Sequence, residues 1–553
     1  RLTDVTGVQT CALPIFCLQQ LRQDNPGLIV VGPESRQRLL KRLFPGLGSS
    51  ERTRISQAIT ASCSGTATTL DRETELYVAE LVRLNALDLD AIIPVCVQLM
   101  QADEPFRQRI QQRVEHLFVD EFQDLNSAQY ELVEQLGLTA SIFAIGDPDQ
   151  AIYGFRGGDL RYFFRFAEVA GTVILPLKTT YRIPRRIVQA ATALISRNLI
   201  CSGLPLAAAA GCSEGRLEFQ RVVSPAAEAE LVVSMIEELV GGLDSFSLHS
   251  GRARQDQQKS ADYSFADIAI LFRLGRQAEE LAEALARRGI PYQLVGATPF
   301  YQSTPLRPLY HLLQAAAGSD ELAIWLALFA ELKGVGAATL DSLDTELPLR
   351  GDFFALAAPL VHSPTTSHAL QELALMLDRF RNTAAGDGLS VALESVLGQF
   401  GVDPVQDDTR RLLRLAQGFG RDLAAFCNHL KNYAAATVYD DKAEAVSLMS
   451  CHSAKGLEFP VVFMVGLEEG MFPCTLMGPP DVEEERRLFY VGLTRAKERV
   501  ILTCSAYRSW MGQGSRERSC FIGELPADLL DIIEPSAVRR VRKPDTSVQM
   551  ELF

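Results

Sequence analysis

Two carboxylates close a short apolar run at Asp120 and Glu121, inside FVDEFQD at 118–124. Acids at the end of a buried strand are costly unless they bind a cation or act in chemistry. Magnesium takes hard oxygen ligands and is commonly held by one or two carboxylates plus nucleotide phosphates. In that arrangement Asp120 holds Mg2+, while Glu121 orients and deprotonates an attacking water. A plain solvated strand end fits the same pair. A second segment, AIGDPDQAIYGFRGGD at 144–159, follows an apolar run and is dense in Gly, Asp and Gln. Gln150 there can sense a phosphate oxygen or the attacking water, and Phe155 beside Arg156 can stack a base. A polar turn is the simpler reading, because GD and DP favour turns.

The elements that must position these residues follow from hydrophobic periodicity. Residues 17–112 are predicted to be mostly helical, with apolar residues at three- and four-residue steps over 77–100. HLFVDE (116–121) and SIFAIGD (141–147) read as buried strands, and SAQYELVEQLG (127–137) between them as a helix stopped by Gly137. Strand, helix and strand at this spacing predict a parallel α/β sheet. The pattern returns in DIAILFR (267–273), RQAEELAEALARRG (276–289) and YQLVG (292–296), then in PVVFMVGL (460–467) and RVILTCS (499–505). Between about 304 and 440 the chain is helix-rich, so a helical block interrupts the second α/β domain. The polar stretch 243–264 reads as a surface loop.

At about 150 residues per domain, 553 residues predict roughly three or four domains. A hydrophobic fraction of 47% excludes a disordered chain. No apolar run approaches the ~20 residues that span a bilayer, so no membrane partner is expected. Lys+Arg 54 against Asp+Glu 68 give a net charge of −14, which disfavours coating nucleic acid through overall charge but not a local basic groove. The 11 cysteines form no CxxC pair and no zinc cluster, predicting reduced thiols in a cytoplasmic protein. The chain starts at Arg1, and VTGVQTCALPI (5–15) resembles a translated sequencing adaptor, so residues 1–16 are set apart as an artefact.

Five segments in one order carry a family resemblance: DEFQD (120–124), GDPDQAIYGFRG (146–157), LKTTYR (177–182), SLMSCHSAKGLEFPVVF (447–463) and EEERRLFYVGLTRAKERV (483–500). They resemble successive motifs of superfamily 1 DNA helicases of the UvrD/Rep/PcrA type. The resemblance implies an α/β fold of two RecA-like P-loop NTPase domains with helical insertions. It implies ATP and Mg2+ as cofactors and single-stranded and duplex DNA as partners. Asp120 then resembles the Mg2+ ligand, Glu121 the catalytic base, and Gln150 the residue that contacts the γ-phosphate and couples it to DNA. Tyr181 is implied to pack on the adenine, Arg182 to reach the γ-phosphate, Glu458 to lie near the ribose, and Arg495 to act as a second arginine finger. Phe155, Arg156 and His452 fall on the DNA side. Phosphoryl transfer needs positive charge on the γ-oxygens, the service implied for both arginines. ATP is then expected in a cleft between two domains, whose closing and reopening moves the protein 3′ to 5′ along a strand. Repair, replication restart or recombination would be its setting, in the cytoplasm at the nucleoid.

The implied organisation is a helical insertion at 17–112 and the remainder of the first RecA-like domain at 113–173. The second RecA-like domain occupies 174–303 and 441–535, around a helical insertion at 304–440, and a flexible basic tail fills 536–553. The departures are specific. GxxxxGK[ST] does not occur, nor does any Gly-Lys dipeptide. That loop is expected upstream of residue 17, so these residues alone are expected to turn over little ATP. Thr180 stands where the family commonly has Asn. Arg486 and Arg487, on a helix beginning EEE, are expected to be salt-bridge partners, and Lys455 receives no role. FYQSTPLRP (300–308) lacks an acidic helix start, and GVG (334–336) either approaches a phosphate backbone or joins two helices. RRVRK (539–543) is a basic cluster, and the end QMELF resembles a sliding-clamp-binding peptide presenting Gln549, Leu552 and Phe553. Two rivals are the helicase subunit of a recombination helicase–nuclease, disfavoured by the roughly fifty residues after Ser505, and a non-catalytic DNA-binding relative, disfavoured by the intact acid, Gln and Arg set.

Overall fold

A computed structural model of the protein describes residues 13–65, 71–241, 263–296, 300–302, 305–347, 363–435, 439–440, 442–476, 478–508 and 515–533, with a few single positions between them. Most of the polar stretch 243–264, most of the adaptor-like start, and the tail segments 539–543 and 549–553 lie outside the described residues. The chain divides into two compact units. One comprises Arg1–Gly146, Tyr153–Thr172 and Ala297–Val438, and the other Asp147–Ile152, Val173–Gly296 and Tyr439–Phe553. No helix among the described residues is long and apolar enough to cross a membrane.

The first unit opens with helices, but the periodic stretch 77–100 is broken. Helix Arg72–Arg83, capped by Asp71 through the Thr74 amide, ends before Asn85, whose φ is 50°. Strand Ala86–Asp88 then pairs in parallel with Ile29–Val31, and helix resumes at Ile92–Ala102. Asp88 explains the break. It is buried and accepts from Arg36 Nε (2.8 Å) and the Tyr77 hydroxyl (2.7 Å), while Arg36 also reaches Asp90 (2.7 Å). An arginine taken out of water needs such fixed carboxylates, and only an extended backbone brings Asp88 to it.

The α/β part of this unit is small. Helix Ser127–Gly137 has the expected bounds and starts with a capping box between Asn126 and Gln129. It packs beside a two-stranded parallel sheet, His116–Val119 with Ser141–Ala144. Val119, Phe122, Tyr130 and Val133 form the core on that side. The two strands were expected to be buried, yet Phe118 and Phe143 are 66% and 51% exposed, with ring centroids 5.9 Å apart. Alternation along a strand places them on the face away from the helix.

The helix-rich segment folds as expected. Its helices, from Arg307–Ala316 to Leu423–Ala435, share a core that includes Leu309, Leu313, Phe329, Leu373 and Phe426. Helix Arg307–Ala316 has no acid in its first turn. GVG joins two helices: Gly334 takes φ +100°, and Gly336 caps helix Ala337–Glu346. The end of that helix receives Arg42, which donates to the carbonyls of Asp344 and Leu347, while Lys41 lies 3.6 Å from the Asp344 carboxylate. Cations at a helix C-terminus meet its negative end.

The second unit is built on a seven-stranded parallel sheet. Its order is Asp531–Ile533, Arg216–Val222, Ala496–Ser505, Phe459–Met464, Ile268–Phe272, Val446–Ser450 and Tyr292–Val295. Helices Pro225–Leu239 and Gln277–Arg287 cover the face that carries Ile268, Ile270, Val461 and Phe463. Helix Val482–Leu493 packs on the other, where Gly492 leaves room for Met464. Past the strand ends, Arg508 bridges two buried acids, Glu228 and Glu468 (2.8 Å to the latter). Glu228 also accepts from the Gly466 amide (2.8 Å) and the Thr503 hydroxyl (2.7 Å). Every described cysteine is a free thiol.

Candidate functional site

In the first unit, strand His116–Val119 delivers Asp120 and Glu121 to its C-terminal end. Both are exposed, so the expectation of costly burial does not hold: the acids are solvated. Glu121 nevertheless adopts φ +53°, a left-handed conformation uncommon for a residue with a side chain. Its amide donates to the Asp120 carboxylate (2.9 Å), and its own carboxylate accepts from Gln123 (2.6 Å). Such an outlier costs about 1–3 kcal/mol and persists where surrounding bonds hold it. Exposed carboxylate oxygens suit Mg2+, which keeps several waters. No cluster of three or more His, Cys, Asp or Glu able to hold a metal occurs among the described residues.

The same unit presents an aromatic turn. Gly154–Arg156 is one helical turn ended by Gly157 at φ +85°. Phe155 is exposed, and the Arg156 guanidinium lies 5.5 Å from its ring and 5.2 Å from that of Tyr153. Tyr153 was not singled out in the sequence, although its spacing of two from Phe155 is the signal for a shared platform.

In the second unit, segments far apart in sequence converge. Gln150 ends a short turn, Pro148–Gln150, and donates its amide to Asp147 (2.7 Å). Its carbonyl oxygen accepts from Arg495 Nη2 (3.2 Å). Arg495 is fully buried between helix Val482–Leu493 and strand Ala496–Ser505, where it also donates to the carbonyls of Val491 (3.0 Å) and Leu457 (3.3 Å). Burial pushes the Asp147 carboxyl up, against the lowering effect of the Gln150 bond.

Arg182 and Tyr181 follow strand Thr179–Thr180. Tyr181 is 83% exposed. Arg182 donates to Glu458 (3.1 Å) and to the Thr494 carbonyl (3.4 Å), and its Nε is buried without a hydrogen bond. Glu458 also pairs with Lys497 (2.6 Å); the Lys497 ammonium first, then Arg182, hold its carboxyl below the usual range. The Thr180 hydroxyl accepts from the amides of Arg182 and Ile183 (3.3 Å each), so threonine fixes this turn with its own side chain. A cleft of about 580 Å3 opens here, lined by Tyr181, Arg182, Glu214, Tyr263 and Lys497. His452 is half-buried on the turn after strand Val446–Ser450.

Two neighbours carried other expectations. Arg486 makes the expected ion pair, with Glu524 (2.7 Å) rather than an acid of its own first turn. Arg487 is 4.0 Å from Glu483, but its shorter bond runs to the Ala151 carbonyl (2.8 Å). Lys455, given no role in the sequence, donates to the Gln150 carbonyl (2.9 Å).

Residues 52–170 match the UvrD/REP helicase N-terminal domain, and 175–355 and 410–507 match the UvrD-like helicase C-terminal domain. The chain is 29% identical over 489 residues to the ATP-dependent DNA helicase PcrA of Bacillus subtilis, covering 82% of this chain and 64% of that protein. It is 30% identical over 509 residues to UvrD1 of Mycobacterium bovis (82% and 63%) and 30% over 455 residues to DNA helicase II of Escherichia coli (77% and 60%). It therefore spans less than two thirds of the length of these relatives. The mixed α/β architecture with its large parallel sheet is consistent with two RecA-like domains. The C-terminal match alone takes in half of the residues, and on that ground the chain belongs to the UvrD/REP helicase family.

Proposed function

We propose that this chain is the larger part of an ATP-dependent DNA helicase that moves 3′ to 5′ on single strands and unwinds duplex DNA in repair or recombination. The observation that carries the reading is the convergence in one unit of Gln150, Arg182, Glu458 and Arg495, drawn from four separated segments. In this reading Arg495 and Arg182 would supply guanidinium charge to the γ-phosphate. A supplied arginine is worth about 10³–10⁵ in the rate of such reactions. Gln150, bonded to Arg495, sits where it can report the state of that phosphate. Tyr181 offers its exposed ring to the base, and Glu458 faces the sugar. Asp120 would hold Mg2+, with Glu121 orienting water; when bound, the metal neutralises charge on the phosphate oxygens. Phe155 and Arg156, with Tyr153, present a stacking platform to single-stranded DNA, and His452 lies on the same unit as the nucleotide set.

Fluorescence anisotropy with a labelled single-stranded oligonucleotide tests the DNA half. The chain should bind, and Phe155→Ala with Arg156→Ala should weaken binding by about ten-fold or more, the worth of one lost stacking contact. A chain that ignores single strands would sink the reading. Phosphate release under saturating single-stranded DNA should stay near background, because the 553 residues contain no GxxxxGK[ST]. Sustained DNA-stimulated hydrolysis would overturn that expectation, and unwinding of 3′- against 5′-tailed duplexes reads the polarity of any activity found. Gln549, Leu552 and Phe553 lie outside the described residues. A pull-down with a bacterial sliding clamp decides their role, and equal retention of Leu552→Ala/Phe553→Ala rejects it.

A further inference from the structure

The segment Asp147–Ile152 packs with the second unit, while Gly146 and Tyr153, its chain neighbours, pack with the first. It is held there by side chains from four places. Lys455, on the turn after strand Val446–Ser450, donates to the Gln150 carbonyl (2.9 Å). Arg487, on helix Val482–Leu493, donates through Nε to the Ala151 carbonyl (2.8 Å) in a buried position. Arg495 donates to the Gln150 side chain, and Ser202 donates its amide (2.9 Å) and hydroxyl to the buried Asp149. Two of the four grip main-chain oxygens, so they fix the backbone that carries Gln150 whatever its side chain touches.

We propose that Lys455 and Arg487 are positioning residues for Gln150, clamping the main chain at 150–151 so that its carboxamide meets Arg495 and Asp147. The proposal rests on the reading of Gln150 as a phosphate sensor. A carboxamide on a loose turn samples many orientations, whereas one on a turn fixed at two consecutive carbonyls keeps a single one, and catalytic groups lose effectiveness with small misplacement. A hydrogen bond from a charged donor to a buried carbonyl is stronger than a neutral one, and both donors here are cations. The arrangement also gives the chain a mechanical anchor.

Hydrogen–deuterium exchange on the whole chain without nucleotide reads the clamp directly. The Gln150 and Ala151 amides bond to the carbonyls of Asp147 and Pro148 inside the turn. In K455M and in R487M they should exchange about ten-fold faster, the consequence of losing one charge-assisted bond. K455R and R487K should restore most of the protection, and peptides from strands Ile268–Phe272 and Ala496–Ser505 should keep their wild-type rates. Unchanged exchange at 147–152 in both methionine variants overturns the proposal, as does an equal rise across the large sheet, which would mean general loosening. A second arm adds saturating Mg-ATP. Wild type and K455R should slow further at 147–152, while K455M should stay fast; equal slowing in K455M removes the positioning role. Wild type that does not respond to Mg-ATP counts against the phosphate-sensor reading, while the nucleotide-free arm still judges the clamp by itself.

Discussion

Two of the parallel sheets of this protein, His116–Val119 with Ser141–Ala144 in the first unit and the seven-stranded sheet of the second, carry candidate site residues at strand termini, and they are supported very differently. In the first unit, two strands of four residues lead into Asp120–Glu121 and Gly146. A helix covers one face, and two phenylalanines stand on the other. In the second unit, seven strands lie between helices, and strand Ile268–Phe272 is buried from end to end. Parallel strands are ordinarily covered on both faces, a condition the second sheet meets and the described part of the first does not. The candidate site residues differ in the same way. Gln150, Arg182, Glu458 and Arg495 are locked by side-chain bonds within a dense scaffold. Asp120 and Glu121 are exposed, and what holds them is local: a left-handed residue, an amide bond to Asp120 and one bond from Gln123.

The strongest way to break this comparison is to remove the same kind of residue from each sheet and look for a difference. Phe463 lies mid-strand in the second sheet and is fully buried against Ile268, Ile270 and Val461. Phe463→Ala should destabilise the second unit by about 3–5 kcal/mol, the usual range for emptying a packed phenylalanine site. Urea denaturation followed by a probe in that unit checks it. A loss under about 1 kcal/mol would mean that the large sheet is not the rigid scaffold described here.

Many of the elements and all of the motif segments were visible in the sequence, and what was not visible has physical causes. Helix Ser127–Gly137 was legible to the residue because its apolar pattern is local and a glycine closes it. The motif segments were found because their spacing is local. An apolar run, however, looks alike whether one face of its strand is covered or both, so the bare Phe118 and Phe143 could not be foreseen. The break at Asn85 was hidden because Leu81, Leu84, Leu87 and Ala91 continue steps of three and four residues by accident, while the true reason, Arg36 seeking Asp88, lies 52 residues away. Lys455 and Ser202 were missed for the same reason: their partners are 305 and 53 residues distant, and no periodicity records such pairs.

A smaller effect comes from the buried acids behind the second sheet. Burial pushes the Glu228 carboxyl above the ordinary glutamate value of 4.5, with Arg508 pulling the other way. A carboxyl raised in the folded state binds its proton more tightly there than in the unfolded chain. Its favourable contribution is therefore complete below the unfolded value and lost as pH rises through the folded one. Glu228→Gln keeps an acceptor for Gly466 and Thr503 but cannot ionise. Its melting temperature relative to wild type should rise as pH climbs above 4.5, with about 2–4 °C for each kcal/mol in a unit of this size. A difference that stays flat with pH would show that Arg508 fully compensates the buried charge, and that no proton is held there.

The smallest expected effect belongs to the bare face. Phe143→Ser, on the exposed side of strand Ser141–Ala144, should change stability by less than about 0.5–1 kcal/mol, because it empties no packed site. Phe118→Ser should do the same, since the ring contact at 5.9 Å is made on the surface. The readout that should respond is solvent-exposed apolar area: binding of a hydrophobic dye should fall in each single variant and further in the double one. A loss of 3 kcal/mol or more in either, comparable to that expected at Phe463, would erase the contrast between the sheets. It would mean that the aromatic face is packed in solution, and that Asp120 and Glu121 stand on a sheet covered on both sides, as Glu458 and Arg495 do on theirs.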